Sequence, residues 1–183
     1  MKNAIILSGA GGQGLILAGT ILAEAAGVFE DKEVVQTQSY GIQARGGASQ
    51  SSVIISEEQI KYPEVLVPDV LLCLSQESYN RYEPTLREGG ILIVDQDLVS
   101  LNNQRNSGSV FSLPFTAEAE RMDRRILANV IALGALAVIT EAVQVESIAQ
   151  ALPRRLPARN VPQALEALEL GKQMAIERGM VPQ

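Results

Sequence analysis

The chain has 183 residues, 46% of them hydrophobic, and a formal net charge of −6 at pH 7. This composition is typical of a globular protein with a substantial core, and the acidic balance argues against broad contact with nucleic acid or anionic membranes. The sequence has no histidine and one cysteine, which excludes a Ser-His-Asp triad, histidine metal sites and an iron–sulfur site held by four cysteines. We predict no catalytic residue and no metal ligand on this chain.

The N-terminal sequence predicts a cytoplasmic location. Its first apolar run stops at glycines after a few residues, unlike a signal peptide. The longest apolar stretch, residues 126–139, contains Asn129 and is too short to span a bilayer comfortably.

A buried strand followed by a glycine-rich turn opens the chain. The apolar run 4–7 leads into Gly9, Gly11 and Gly14, which satisfy G-x-G-x-x-G, and a helical pattern follows with Gly27 as its expected stop. Glycine tolerates positive φ and lets a ligand approach the backbone, and amides at a helix start favour an anion. Two interpretations stay open: a ligand site, for a phosphate or another group, or a tight turn whose glycines serve only packing.

The second predicted strand, residues 34–38, leads into a long polar loop. It ends in Thr37-Gln38-Ser39 and lacks the acidic residue that holds the ribose in nicotinamide-binding proteins, which weakens an NAD prediction. In the loop 39–49, Arg45 stands beside two glycines. This arginine could bind a carboxylate or phosphate, or it could be an ordinary surface residue at a glycine turn.

Strands and helices alternate in much of the remaining chain. We predict strands at 51–56 (antiparallel or at an edge), 69–75, 91–95 and 110–113, and helices at 76–88 (in two pieces because of Pro84), 126–139 (buried), 144–152 (ending at Pro153) and from a capping box of Asn160 and Gln163 onward. This order predicts the α/β class: a Rossmann-like, mostly parallel sheet flanked by helices, with residues 1–183 as a single domain.

Two further features have open or structural interpretations. Cys73 lies within an apolar run, so we interpret it as a small core residue. The segment 153–159 concentrates arginines in an acidic protein, and is either a solvated face or a docking site for an anionic group.

Taken together, these motifs resemble the gamma subunit of the 2-oxoacid:ferredoxin oxidoreductases over nearly the whole chain. The form of the polar loop is most similar to the branch that acts on 2-oxoglutarate, with Ile42-Gln43 where that branch usually has Pro-Glu. The residues that carry the resemblance are Gly9-Ala10-Gly11-Gly12-Gln13-Gly14, Ser39-Tyr40-Gly41, Arg45-Gly46-Gly47, Pro68-Asp69-Val70, Gly89-Gly90 before a strand ending in Asp95, and Asn160, Ala164 and Gly171.

The resemblance implies a multi-subunit enzyme that converts a 2-oxoacid and coenzyme A to an acyl-CoA, carbon dioxide and reduced ferredoxin. It implies alpha and beta subunits, a delta subunit in some complexes, and ferredoxin as partners. Thiamine diphosphate with Mg and the iron–sulfur clusters would lie on those partners, so we expect no cofactor on this chain alone and no activity from it in isolation. A homodimer of the isolated chain stays open.

The resemblance also suggests which residues hold an anionic part of coenzyme A or, alternatively, shape a subunit contact. These candidates are Gly9, Gly11, Gly12, Gln13, Gly14, Ser39, Tyr40, Gly41, Arg45, Gly46 and Gly47. Two other functions stay open: a self-standing nucleotide-binding module, and the small subunit of indolepyruvate:ferredoxin oxidoreductase.

Overall fold

A computed structural model describes residues 2–40, 48–102 and 108–179. Its strands are β1 (Lys2–Ala10), β2 (Glu33–Tyr40), β3 (Ala48–Ser56), β4 (Val70–Cys73), β5 (Ile91–Asp95) and β6 (Ser109–Leu113). Its α-helices are α1 (Leu15–Glu24), α2 (Gln76–Tyr82), α3 (Phe115–Arg121), α4 (Ala128–Thr140), α5 (Val145–Arg155) and α6 (Val161–Glu177).

The six strands form one sheet in the order β2-β3-β1-β4-β5-β6. The adjacent strands β1, β4, β5 and β6 run parallel to one another. Strand β3, in contrast, is antiparallel to both β1 and β2. The predicted α/β class, with a mostly parallel sheet flanked by helices, is therefore confirmed. The antiparallel pairing of the third strand is also confirmed, but its alternative position at an edge is wrong, because β3 lies between β2 and β1.

Both faces of the sheet are covered, which explains the continuous apolar runs in β1, β4 and β5. On one face, alternate residues such as Ile5, Leu72 and Ile93 pack into a large core with α1 and helices α3 to α6. On the other face, Ile6 and Leu71 pack into a smaller core whose aromatic residues come from α2.

Several predicted helix boundaries are corrected by the structure. Gly27 does not stop the first helix, because a π-helical segment, Ala25–Phe29, continues it. Pro153 does not end α5, which continues to Arg155. The division at Pro84 is confirmed, since α2 ends at Tyr82 and a 3-10 turn follows.

The predicted capping box at Asn160 is wrong. A 3-10 turn, Ala158–Asn160, runs directly into α6, and Asn160 already has helical dihedral angles of φ −94° and ψ −16°. Its side-chain oxygen instead accepts a hydrogen bond of 3.1 Å from Arg124. An N-cap requires an extended residue whose side chain turns back to the first helical amides, and this geometry does not provide one.

Helices α4 and α6 approach each other closely at two glycines. A β-carbon on Gly134 would lie 2.1 Å from the carbonyl oxygen of Leu168, and one on Gly171 would lie 1.8 Å from that of Ile131. Both obstacles are backbone atoms, so neither can move aside without displacing its helix. The predicted burial of the apolar helix is confirmed, and α6 is what covers one side of it.

Two arginines of the basic segment have an intramolecular partner. Arg154 and Arg155 each donate a hydrogen bond from Nε to the Glu24 carboxylate at the end of α1. The Glu24 side chain is 4% exposed, while those of the arginines are 58% and 45% exposed. These two residues therefore join α5 to α1 rather than forming only a solvated face. Within the described ranges, no helix has the length and hydropathy needed to cross a membrane.

Candidate functional site

The glycine loop, residues Gly9 to Gly14, joins β1 to α1. Gly9 lies in the last part of β1, and Gly14 is the N-cap of α1 with a φ of 73°. Gly12 also has a positive φ, of 89°. These two positions use the backbone freedom that glycine alone has at little cost.

The side chain of Gln13 fills the inside of this loop. Its Oε1 accepts a hydrogen bond of 2.6 Å from the Ala10 amide, and its Nε2 donates one of 2.7 Å to the carbonyl of Leu74, which follows β4. A β-carbon on Gly9 would lie 2.3 Å from the same Oε1. Gly9 therefore serves packing, and Gln13 closes the gap between the ends of β1 and β4.

Asn129 fixes the other end of the loop. This residue of α4 is 4% exposed, and its Nδ2 donates a hydrogen bond of 3.1 Å to the Gly14 carbonyl. A β-carbon on Gly14 would lie 2.4 Å from that nitrogen. The motifs of the sequence predict no role for Asn129, although a single amide in an otherwise apolar helix is a usable signal for such a contact.

Gly11 and Gly12 differ from the other loop glycines because they are exposed. A β-carbon on either would meet no atom within 4 Å, and neither amide donates a hydrogen bond to another described residue. They line a cleft of about 320 Å³ together with Gln13, Thr116, Arg125, Ile126 and Ala128. Packing thus explains Gly9 and Gly14, whereas Gly11 and Gly12 face open space where a ligand could approach.

Asp95, at the end of β5, holds in place Thr116, which lines the cleft. This carboxylate is fully buried and accepts hydrogen bonds from the amide and the hydroxyl of Thr116 at 2.8 and 2.6 Å. Its other oxygen accepts a bond of 3.0 Å from the Asp97 amide. Asp95 therefore positions the start of α3 beside the glycine loop, and both of its carboxyl oxygens accept hydrogen bonds within the protein.

Among the described residues that line this cleft, Arg125 is the only one with a charged side chain. It belongs to a 3-10 turn, Arg125–Leu127, that precedes α4. No local sequence pattern distinguishes Arg125 from its neighbour Arg124, so the sequence alone predicts no role for it. Only the packing of the α3–α4 connection against the glycine loop brings it to the site.

The second predicted motif is partly described. Ser39 and Tyr40 lie in β2, whereas Gly41, Arg45, Gly46 and Gly47 fall outside the described residues. In the strand register, Tyr40 pairs with Ser49 and Ser49 with Gly9, while Ala48 pairs with Ala10. The two residues that flank segment 41–47 therefore lie at the sheet end where the glycine loop begins.

The position of β2 argues against a dinucleotide site of the nicotinamide type. In such a site the second strand lies next to the first, so that its end can hold the ribose. Here β3 separates β1 from β2, which places the end of β2 about 10 Å from β1 at the usual strand spacing. The sequence prediction that NAD is disfavoured thus has a topological reason as well.

The single thiol of the chain lies in the core. Cys73 is buried in β4, and burial raises the pKa of its thiol to about 12. This confirms its interpretation as a core residue, because a reactive cysteine needs a lowered pKa and exposure. No group of three or more His, Cys, Asp or Glu side chains within the described ranges is placed to hold a metal ion.

Comparison with known proteins agrees with this fold. Residues 4–174 match the family model described as pyruvate ferredoxin/flavodoxin oxidoreductase. The chain is 45% identical over 179 residues to the 2-oxoglutarate synthase subunit KorC of Methanocaldococcus jannaschii, covering 97% of this chain and 96% of that one.

Two solved structures are similar. The gamma subunit of a keto/oxoacid ferredoxin oxidoreductase from Geobacter sulfurreducens is 40% identical with a TM-score of 0.86, covering 97% of this chain and 98% of that one. The 2-oxoglutarate:ferredoxin oxidoreductase of Magnetococcus marinus, solved with 2-oxoglutarate, coenzyme A and succinyl-CoA bound, shares the fold at 22% identity and a TM-score of 0.84. The structural match covers 96% of this chain and 31% of the longer Magnetococcus chain. In sequence and fold the chain is similar to gamma-type subunits, and it belongs to the pyruvate ferredoxin/flavodoxin oxidoreductase family.

Proposed function

We propose that this chain is the gamma subunit of a 2-oxoglutarate:ferredoxin oxidoreductase. The reaction joins the succinyl group of 2-oxoglutarate to coenzyme A, releases carbon dioxide, and passes two electrons to ferredoxin. The observation that carries the proposal is the 45% identity to KorC across nearly the full length of both chains. We further propose that residues 1–183 form one gamma-type domain.

The chemistry of this chain fits a supporting subunit rather than the redox centre. An iron–sulfur cluster is held by several cysteine thiolates, whereas this sequence contains one cysteine, and that residue is buried. We therefore assign thiamine diphosphate, Mg and the iron–sulfur clusters to alpha and beta subunits, and to a delta subunit where one exists. Ferredoxin is the electron acceptor of the assembled complex.

Within the complex, we propose that the glycine loop and the segment after β2 hold an anionic part of coenzyme A. Gly11 and Gly12 offer backbone amides at the carboxyl end of a parallel sheet, where α/β proteins usually bind ligands. Gln13 and Asn129 fix the shape of that loop from inside the protein. The flanking position of Tyr40 and Ala48 supports a contribution from Arg45 to the same region.

Reconstitution tests the assembly role. The complex is assembled from separately produced subunits with and without this chain, and ferredoxin reduction is followed with 2-oxoglutarate, pyruvate, branched-chain and aryl 2-oxoacids. We expect no turnover by this chain alone, full activity only when it is present, and the highest kcat/KM with 2-oxoglutarate. Undiminished activity without the chain would contradict the proposal, and a preference for indolepyruvate would favour the alternative small subunit.

A matched pair of glycines tests the ligand role. Gly12→Ala places a methyl group at a positive φ beside the cleft, and we expect it to raise the KM for coenzyme A about tenfold with a smaller change in kcat. Gly89→Ala is the control, because Gly89 also has a positive φ (73°) and open space around it, but it precedes β5 at the opposite end of the sheet. Arg45→Ala should act like Gly12→Ala. If neither Gly12→Ala nor Arg45→Ala changes the KM for coenzyme A, the loop serves structure or subunit contact instead.

A further inference from the structure

The cleft beside the glycine loop combines three kinds of surface. Its lining includes the backbone of Gly11 and Gly12 and the side chains of Arg125 and Ile126 from the turn before α4. Ile126 is 50% exposed although it is a large apolar residue. Backbone amides and a guanidinium that line the same cleft suit an oxyanion, and the exposed isoleucine suits an adjoining apolar group.

The guanidinium of Arg125 already has a carboxylate near it. Its Nη1 lies 3.4 Å from Oε1 of Glu120 in α3, and the side chains of Arg125 and Glu120 are 65% and 55% exposed. A pair so exposed to solvent contributes little to stability and exchanges readily with other charges. A phosphate can accept two parallel hydrogen bonds from a guanidinium, so it would replace this carboxylate at small cost.

We propose that Arg125 binds a phosphate group of coenzyme A in the cleft that it lines with Gly11 and Gly12, and that Glu120 competes with that phosphate for the guanidinium. The inference rests on the proposed function and deepens it. It adds a residue from a separate part of the chain to the site, and it makes Glu120 a determinant of affinity. Asp95 does not compete in this way, because Thr116 and Asp97 already satisfy its oxygens.

The test uses the reconstituted complex with Arg125→Ala, Arg125→Lys and Glu120→Gln. Binding of coenzyme A without 2-oxoacid is measured by calorimetry, and the KM values for coenzyme A and 2-oxoglutarate are measured separately. We expect Arg125→Ala to raise the Kd and KM for coenzyme A about tenfold, Arg125→Lys to raise them about threefold, and Glu120→Gln to lower the Kd about threefold. The KM for 2-oxoglutarate should not change.

Arg121→Ala is the matched control. Arg121 lies in the same helix as Glu120 and pairs with Glu118, but it does not line the cleft, so coenzyme A binding should be unaffected. Thermal unfolding should show that each variant is folded, since all these side chains except that of Glu118 are more than half exposed. Repeating the titration with dephospho-coenzyme A identifies the phosphate: a lost Arg125 effect assigns the 3′-phosphate, and a retained one assigns the diphosphate.

Two results would overturn the inference: an unchanged Kd for coenzyme A in Arg125→Ala, or a raised KM for 2-oxoglutarate with that for coenzyme A unchanged. Its failure can be told from failure of the proposed function. If Gly12→Ala weakens coenzyme A binding while Arg125→Ala does not, only the role of Arg125 is lost. If the complex is fully active without this chain, the proposed function itself is lost.

Discussion

Gly171→Ala is expected to lower the free energy of unfolding by roughly 3 kcal/mol, a large share of the stability of an ordinary domain. The added β-carbon would lie 1.8 Å from the Ile131 carbonyl oxygen and 3.1 Å from the Ala135 amide nitrogen. Because these are backbone atoms of α4, the two helices must separate. The higher helix propensity of alanine, about 1 kcal/mol, offsets only part of this cost.

Thermal unfolding of the isolated chain measures the effect. A loss of this size should lower Tm by roughly 6–12 °C for a chain of this length. Gly27→Ala is the control: it lies in a helical segment, but its β-carbon would be no closer than 3.5 Å to a neighbouring atom, so Tm should be unchanged or slightly higher. Equal effects of the two substitutions would show that helix contact does not explain the role of Gly171.

A double-mutant cycle sharpens this test. Gly134→Ala should be costly alone, because its β-carbon would meet the Leu168 carbonyl oxygen. Once Gly171→Ala has forced the helices apart, however, the second substitution should cost less than it does in the wild-type chain. Strict additivity would indicate that the two glycines do not share one helix contact.

A double variant that lacks the side chains of both Arg154 and Arg155 is expected to be the second most damaging change. Its free energy of unfolding should be lower by about 3 kcal/mol near pH 7. The double substitution would leave the carboxylate of Glu24, whose side chain is 4% exposed, buried without its charge partners. Glu24→Gln should cost less, about 1 kcal/mol, because the two arginines it leaves behind are about half exposed and can be hydrated. The two changes differ in cost because the carboxylate of Glu24 lies inside the protein, whereas the guanidinium groups of its partners reach the surface.

The pH dependence has a definite sign. Burial alone raises the pKa of Glu24, but hydrogen bonds and charges from Arg154 and Arg155 outweigh it and hold that pKa below its ordinary value. A group whose pKa is lowered by folding stabilises the protein above its unfolded pKa, and this contribution disappears as the pH falls through the folded value. In the double variant only burial acts, so the pKa of Glu24 should be raised and stability should fall as the pH rises.

Urea unfolding between pH 3 and pH 8 checks this expectation. The difference in unfolding free energy between wild type and the double variant should be largest near pH 7 and should shrink below about pH 4, where glutamate is protonated. Arg159→Ala, an exposed arginine of the same basic segment, serves as the control for net charge. A difference that does not vary with pH would show that Glu24 is not the group responsible.

Much of the fold could be predicted from local pattern. The strand at 91–95 has its predicted limits because an apolar run stands between Gly90 and a polar stretch. The break of α2 at Pro84 follows from the proline ring, which removes an amide donor and clashes with the preceding turn. These features depend on neighbours in sequence, and the sequence displays them.

Features that depend on distant partners were predicted poorly. The place of β3 between β1 and β2 is set by pairing along 9 residues of β1, which no local pattern reports. The helix continues through Pro153 to two arginines bonded to Glu24, a residue 130 positions earlier. At the site, the G-x-G-x-x-G motif located the loop but did not separate Gly9 and Gly14, which pack against Gln13 and Asn129, from Gly11 and Gly12, which face the cleft.

The burial of Cys73 has a practical consequence for studying assembly. With a pKa of about 12, its thiol is almost entirely protonated at neutral pH and should react slowly with maleimides or spin labels in the folded chain. A cysteine introduced on the surface would then be the single site of modification, with no need to replace the native one. Fluorescent or paramagnetic probes placed in this way could report distances from this chain to its neighbours in the assembled enzyme.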